Sequence, residues 1–298
     1  MVGIVTDSAA SLDDELARRT GIVVVPMQIE VGGRSVPDGT DGLDGLTASV
    51  GNGSVRTAGP TPAAFMSAVK EADSGDGVVV ITVGSRLSST AASARLAAAE
   101  AGIPVAVVDS GTAAGAEGLI ALAAASTALA GQPLDAVRRR AEMVRARVRL
   151  VAEVGNLTQL VRGGRVPAPL GALGNAVGLH PVFELRRGEI RLLRPALSER
   201  AATELMLTTW RRSVRPGHRL HVAGLHVDAS ESLEELLDTV AAEVVPVTRF
   251  VGRFGPAMVA HTGHDIRGLA WWWEPPGDDL VAPQLPGPGS GVAGGDRS

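Results

Sequence analysis

The chain has no cysteine, no tyrosine and a single lysine, Lys70, and only four tryptophans and four phenylalanines among its 298 residues. Each shortage closes off a class of function. Without cysteine there is neither a disulfide framework nor a thiolate metal site, and the composition suits a cytoplasmic address. One lysine, followed by Glu71 in a plain helical pattern, leaves no Gly-Lys-Ser/Thr phosphate loop and no Schiff-base nucleophile. So few aromatic rings offer no stacking platform for nucleic acid, and a formal net charge of −4 gives no global pull toward DNA, RNA or acidic membrane. Long apolar runs are missing too. The longest, Leu119 to Ala130, contains Ser126 and Thr127 and is too short to span a bilayer, so it reads as a buried helix. Met1-Val2-Gly3-Ile4-Val5-Thr6-Asp7-Ser8 carries neither the basic flank nor the apolar region of a signal peptide.

What is present is led by one turn. Gly77–Val83 is a continuous β-branched run, the pattern of a strand buried on both faces. Gly84-Ser85-Arg86-Leu87-Ser88-Ser89-Thr90 follows, and then an alanine-rich helix closed by Gly102. Capping that helix needs only Ser88 or Ser89. Four hydroxyls gathered between a strand end and a helix N-terminus point to an anion, because ligands of open α/β sheets bind there and the helix end favours negative charge.

The rest of the first half alternates strand and helix. Val2–Thr6 reads as a strand, and Ser11 with Asp14 as a capping box opening a helix that Gly21 ends. Ile22 to Val31 reads as one long strand that Gly32-Gly33 turns into a hairpin with Arg34–Val36. Residues Pro37 to Gly59 read as a polar surface loop with one helical turn. Thr61-Pro62 opens a helix over Ala63–Glu71. A strand at Pro104–Val108 and helices at Ala116–Ala130 and Pro133–Val148 follow. The pattern predicts a parallel sheet covered on both faces, with Thr6-Asp7-Ser8, Gly84-Ser85 and Asp109-Ser110 along one rim.

The second half changes character. Leu150–Val154 reads as a strand and Leu157–Val161 as a short helix; a hairpin at His180–Leu185 and Glu189–Arg194 turns at Arg187-Gly188. A helix from Ser198, a strand at His221–Val227, a helix at Ser232–Ala242 and strands near Pro246–Val251 and Ala257–His261 complete it. The expected fold is α/β: a parallel-sheet domain over 1–148, a mixed or antiparallel α/β domain over 149–274, a ligand between them, and a disordered tail over 275–298. Gly163-Gly164 sets Arg165 on a tight turn, where bonding to loop carbonyls and a functional role are both open. His218-x-x-His221 and His261-x-x-His264 have ligand-like spacing, but lack the cysteine or glutamate partners of a metal motif, so neither metal nor cofactor is expected.

In order along residues 3–274, these motifs resemble the DegV family, fatty-acid-binding proteins that form the lipid-presenting subunit of bacterial fatty acid kinase. Thr6-Asp7-Ser8 is similar to the family's opening motif, and Pro37-Asp38-Gly39 sits where an acidic loop is usual. Arg56-Thr57-Ala58-Gly59-Pro60-Thr61-Pro62 and the hydroxyl turn match two more, as do Val107-Val108-Asp109-Ser110 and Leu160-Val161-Arg162-Gly163-Gly164-Arg165. Gly255-Pro256 and His261-Thr262-Gly263 close the series. The resemblance implies a long-chain fatty acid whose carboxylate is held by Thr57, Ser85 and His261, with Ser88 beside them. It also implies a binding subunit with no catalytic site of its own, a separate ATP-dependent kinase that forms the acyl phosphate, and docking of that kinase at Arg194 and Arg200. Ala58, Gly59, Ser89 and His264-Asp265 depart from the family pattern. The competing reading is a serine-type lipid or ester hydrolase using Ser85 or Ser88 with His261 and Asp109; no Gly-x-Ser-x-Gly elbow surrounds either serine.

Overall fold

The computed structural model describes residues 1–31, 33–39, 55–155, 157–166, 179–227 and 231–278. The first half runs β1 (Gly3–Asp7), α1 (Asp14–Thr20), β2 (Ile22–Val25), β3 (Gln28–Val31), β4 (Arg34–Pro37), β5 (Val55–Ala58), α2 (Pro62–Ala72), β6 (Val78–Thr82), α3 (Thr90–Glu100), β7 (Val105–Asp109), α4 (Ala114–Leu129) and α5 (Leu134–Arg147). A four-stranded parallel sheet in the order β2-β1-β6-β7 forms its centre. The second half runs β8 (Arg149–Glu153), α6 (Thr158–Arg162), β9 (Val182–Arg186), β10 (Glu189–Leu192), α7 (Glu199–Arg211), β11 (Arg219–His226), α8 (Glu231–Glu243), β12 (Pro246–Arg253), α9 (Pro256–Thr262) and β13 (Arg267–Glu274). Its six-stranded mixed sheet has the order β10-β9-β8-β13-β11-β12. The expected α/β class, parallel sheet first and mixed sheet second, is what the chain adopts.

Burial explains the layering. Phe65, Val69, Ala94 and Ala97 of α2 and α3 pack on Val5, Val78 and Val80 of the parallel sheet. The opposite face, with Ile4, Val79 and Ile81, joins a large core that reaches Leu150, Ala152, Ala223 and Leu225 of the second sheet. Helix α4 lies in that core and is buried on nearly every side, as an apolar helix without a polar face must be. Its glycines allow the fit: a Cβ on Gly118 would sit 2.7 Å from the Ala10 carbonyl oxygen, and one on Gly115 would sit 2.7 Å from Leu225. Helices α7 and α8 cover the far face of the second sheet over Leu220, Val222, Trp271 and Trp273. Trp271 and Trp273 both donate their indole N–H to the Ser213 hydroxyl, at 2.7 and 3.1 Å.

Several expectations are corrected here. The long strand over 22–31 is two strands in two sheets, broken at Pro26, which has no N–H to continue a ladder. The loop expected over 37–59 ends in β5, which pairs antiparallel with β3 and puts Thr57 opposite Ile29; most of that loop, residues 40–54, lies outside the described residues, and with it any test of the helical turn expected in it. Helix α1 is capped by Asp13, which accepts from the Leu16 N–H at 2.6 Å, while Ser11 ends the preceding 3-10 turn at φ +55°. The strand expected at Ala257–His261 is helix α9, with Pro256 in its first turn, where the missing N–H costs nothing. Strand β13 escaped sequence reading altogether. It is central and buried on both faces, so its three adjacent tryptophans show no alternation. Beyond Asp278 the tail expected to be disordered lies outside the described residues; Asp278 itself ion-pairs with Arg140 and Arg147. Among the described residues no helix is long and apolar enough to cross a membrane.

Candidate functional site

Between the two sheets lies a cavity of about 370 Å³. Most of its wall is apolar: Val83, Leu87, Ala113 and Ala114 come from the first half, and Leu150, Phe183, Leu185 and Ile190 from β8, β9 and β10. Six polar side chains interrupt that wall, Thr57, Ser88, Ser89, Arg165, His261 and Thr262. A mostly apolar pocket with a few convergent polar groups is the usual form of a small-molecule site.

Each polar group reaches the cavity through a local device. Thr57 stands on β5 and its hydroxyl lies 2.7 Å from His261 Nε2. His261 stands in the last turn of α9. The start of that helix is fixed by Asp38, whose Oδ1 accepts from the Ala257 N–H at 3.1 Å. Oδ2 of the same carboxylate accepts from the Ser8 hydroxyl at 2.8 Å, and Ser8 Oγ accepts from the Met27 N–H at 3.1 Å. Burial raises the Asp38 pKa above its ordinary value, against the hydrogen bonds from Ser8, Ala257 and Gly39. Thus Ser8 and Asp38 anchor the histidine helix without lining the cavity.

Arg165 is the cation of the site. Its Nε donates to the Leu87 carbonyl at 3.1 Å and its Nη1 to the Gly163 carbonyl at 2.6 Å, and no carboxylate among the described residues pairs with it. Burial lowers its pKa, which is the cost of holding a guanidinium beside an apolar wall. Gly163 makes the arrangement possible: a Cβ there would stand 3.1 Å from Arg165 Nη1 and 3.2 Å from His261 Nδ1. Burial first, and then the Arg165 charge, push the His261 pKa down to about 4. The ring is therefore neutral at pH 7 and can accept from Thr57 or donate to an anion, depending on its tautomer.

The hydroxyl turn divides its residues between two tasks. Ser88 Oγ lies 2.8 Å from Thr90 Oγ1, accepts weakly from the Thr90 N–H at 3.3 Å, and lines the cavity. Ser89 occupies the N-cap position of α3 without a side-chain bond. Ser85, expected at the head of the ligand, is exposed and does not line the cavity; its N–H donates to Asp109 Oδ1 at 3.0 Å. Burial raises the Asp109 pKa, but hydrogen bonds from the Ser85 side chain and from the Gly111 and Ser85 backbone outweigh it, and the net shift is downward. The hydroxyl of Ser85 thus serves the Asp109 turn, because the strand-end geometry points it there. Gly59, a departure from the family pattern, packs against the same turn: a Cβ would stand 2.6 Å from Thr90 Oγ1.

The Thr6-Asp7-Ser8 motif is architectural. Asp7 accepts from the Ala9 N–H at 3.0 Å and from the Val83 N–H at 2.8 Å, and Thr6 donates to Glu117 Oε1 at 3.1 Å. Burial drives the Asp7 pKa up to about 7 and raises Glu117 well above the carboxylate range. No nucleophile–base–acid relay is assembled from the residues a hydrolase would need: His261 bonds to Thr57, Ser88 to Thr90, and Asp109 to the Ser85 and Gly111 N–H groups. Of the spaced histidines, His221 stacks on Trp272 and lies 3.2 Å from Glu274, while His218 lies 3.3 Å from the Pro216 carbonyl. Arg194 and Arg200, expected on one docking face, are both exposed but line separate grooves, Arg194 beside Arg149, Arg191 and Arg212, and Arg200 between α7 and α8. Arg165 is visible in sequence only as a choice between structural and functional roles; in the fold it bonds to two loop carbonyls and also lines the cavity.

Comparison with known proteins agrees with the motif series. The model of the DegV family, described as uncharacterised protein, matches residues 1–274. A DegV domain-containing protein of Mycobacterium tuberculosis is 32% identical over 273 residues, covering 90% of this chain and 96% of the relative. A fatty acid-binding protein of Thermotoga maritima is 28% identical over 281 residues, with 90% and 96% covered. Among solved structures, a DegV family protein from Thermus thermophilus, described by its fatty acid binding, superposes with a TM-score of 0.84 at 29% identity, over 91% of this chain and 99% of the other. The chain belongs to the DegV family.

Proposed function

We propose that this protein binds a long-chain fatty acid in the cavity between its sheets, with the carboxylate at Thr57, Ser88, Arg165 and His261. The observation that carries this reading is the pairing of a largely apolar 370 Å³ cavity with a half-buried guanidinium that has no carboxylate partner among the described residues. A carboxylate supplies what that cation lacks, and hydrogen bonds to charged groups are the strong ones. The fatty acid binding described for the Thermotoga and Thermus relatives supports the same ligand class. Each buried methylene contributes roughly 0.8 kcal/mol. Affinity therefore resides mainly in the tail, and orientation in the head group.

The two halves, residues 1–148 and 149–274, act in this reading as lobes that grip the ligand from either side. The protein has no catalytic site of its own; a separate ATP-dependent kinase docks on the arginine-rich surface that includes Arg194 and Arg200 and converts the presented carboxylate to an acyl phosphate. Thr57, Ser88 and the neutral His261 hold the head group in place, while the apolar wall keeps water from the tail. Incubating purified protein with palmitate or oleate, a bacterial fatty acid kinase catalytic subunit and ATP tests both halves of the reading. Acyl phosphate trapped as the hydroxamate is expected. Tight lipid binding without acyl phosphate would remove the kinase role alone.

A further inference from the structure

The strands that wall the cavity carry a different chemistry on their other face. Leu150, Leu185 and Ile190 are cross-strand partners and face the cavity. Side chains alternate along a strand, so Arg149, Glu184 and Arg191 turn to the opposite side. There, with Arg194, Thr208 and Arg212, they line a groove of about 490 Å³ against α7.

Charge in this groove is unbalanced. Four guanidinium groups face one carboxylate, in a chain whose formal net charge is −4. That carboxylate, Glu184, is taken by Arg149 Nε at 2.7 Å, and the Arg149 guanidinium also lies 5.1 Å from the Trp271 ring centroid. Arg191, Arg194 and Arg212 make no ion pair among the described residues. Several arginines outside the groove do have carboxylate partners: Arg138 and Arg139 pair with Asp135, Arg211 with Glu204 and Glu243, and Arg249 with Glu234 and Asp238. Guanidinium forks match phosphate oxygens in geometry and charge, and several lining one hollow suit a ligand with more than one anionic group.

We propose that the groove formed by Arg149, Arg191, Arg194 and Arg212 is a binding site for a small polyanion, a compound carrying two or more phosphate groups. The site lies on the reverse face of the sheet from the lipid cavity and stands whether or not a fatty acid is the cavity's ligand. Its concave shape favours a small molecule over a flat membrane surface.

Calorimetric titration of the full-length protein with inorganic phosphate, pyrophosphate and tripolyphosphate tests it. Saturable one-to-one binding is expected, tightening with phosphate number and weakening as salt is raised. Arg191→Gln and Arg212→Gln should each weaken tripolyphosphate binding about ten- to a hundredfold, the loss of one charge-assisted contact. Arg138→Gln, an arginine outside the groove, should leave it unchanged. All three positions are on the surface, and unchanged circular dichroism shows that the fold is intact. The proposal is overturned if no saturable binding occurs, or if the groove variants bind like the parent. It is equally overturned if a polyglutamate peptide or phosphatidylglycerol vesicles bind at the groove arginines while tripolyphosphate does not.

Discussion

Replacing Thr57 by valine removes one oxygen from the proposed head-group site and little else. The residue sits on a strand of the small three-stranded sheet, half-buried, with its hydroxyl 2.7 Å from His261 Nε2. Valine keeps the β-branched shape that suits β5. In the complex the hydroxyl would donate to a carboxylate, a contact worth about 1.5–3 kcal/mol, which corresponds to about ten- to a hundredfold in affinity. The substitution also leaves His261 without its partner in a site that pushes its pKa to about 4. Displacement of a fluorescent fatty acid by palmitate measures the effect, with circular dichroism as the control for folding. Arg165→Gln should weaken binding by a comparable or larger factor, and the double variant should lose less than the sum, because both groups serve one anion. Unchanged affinity in Thr57→Val and in Arg165→Gln, with the fold intact, would show that the carboxylate lies elsewhere.

Other expectations follow from the same geometry. Ser88→Ala should weaken fatty acid binding about tenfold or more, whereas Ser85→Ala should leave it unchanged, since Ser85 serves Asp109 and does not line the cavity; equilibrium binding of the two variants separates them. His261 in the lipid-free protein should titrate near pH 4, and a bound carboxylate should raise that value, as opposite charges do; NMR titration of the ring protons would contradict this if the free value were ordinary. Asp7 and Glu117 retain protons in the folded state that the unfolded chain releases at lower pH, so their contribution is greatest in acid; that of Asp7 is lost as pH rises through about 7, and that of Glu117 as pH rises toward its own raised pKa. Glu117→Gln should therefore raise the melting temperature at pH 8 relative to the parent and flatten its pH dependence, and a lower melting temperature at pH 8 would refute the buried-acid reading. Gly59→Ala should cost about 1–3 kcal/mol of stability, because its Cβ must displace the Thr90 hydroxyl that bonds to Ser88; chemical denaturation measures it.

Local chemistry made much of the fold legible. Thr61-Pro62 and Ser198 both open helices where capping rules put them, and the Val78–Thr82 run is a strand buried along its whole length. The order of hydroxyl, Gly-Gly-Arg and histidine motifs was enough to reach the family. What escaped the sequence depends on the third dimension. Which hydroxyl of the 84–90 turn faces the cavity is decided by the backbone after β6, where Asp109 from the neighbouring strand captures Ser85 and leaves Ser88 to the interior. Asp38 acts on His261 through the N–H of Ala257, 219 residues away in sequence, and no local pattern reveals such a bond. Strand β13 lacks alternation because both of its faces are buried, and the Ala257–His261 segment is too short for its period to separate helix from strand.

The most direct test of the central claim is native mass spectrometry of the purified full-length chain, followed by lipid extraction. One long-chain fatty acid per chain, retained through purification or taken up from added palmitate or oleate, is the expected result. A protein that purifies empty and stays empty in the presence of either acid would contradict it.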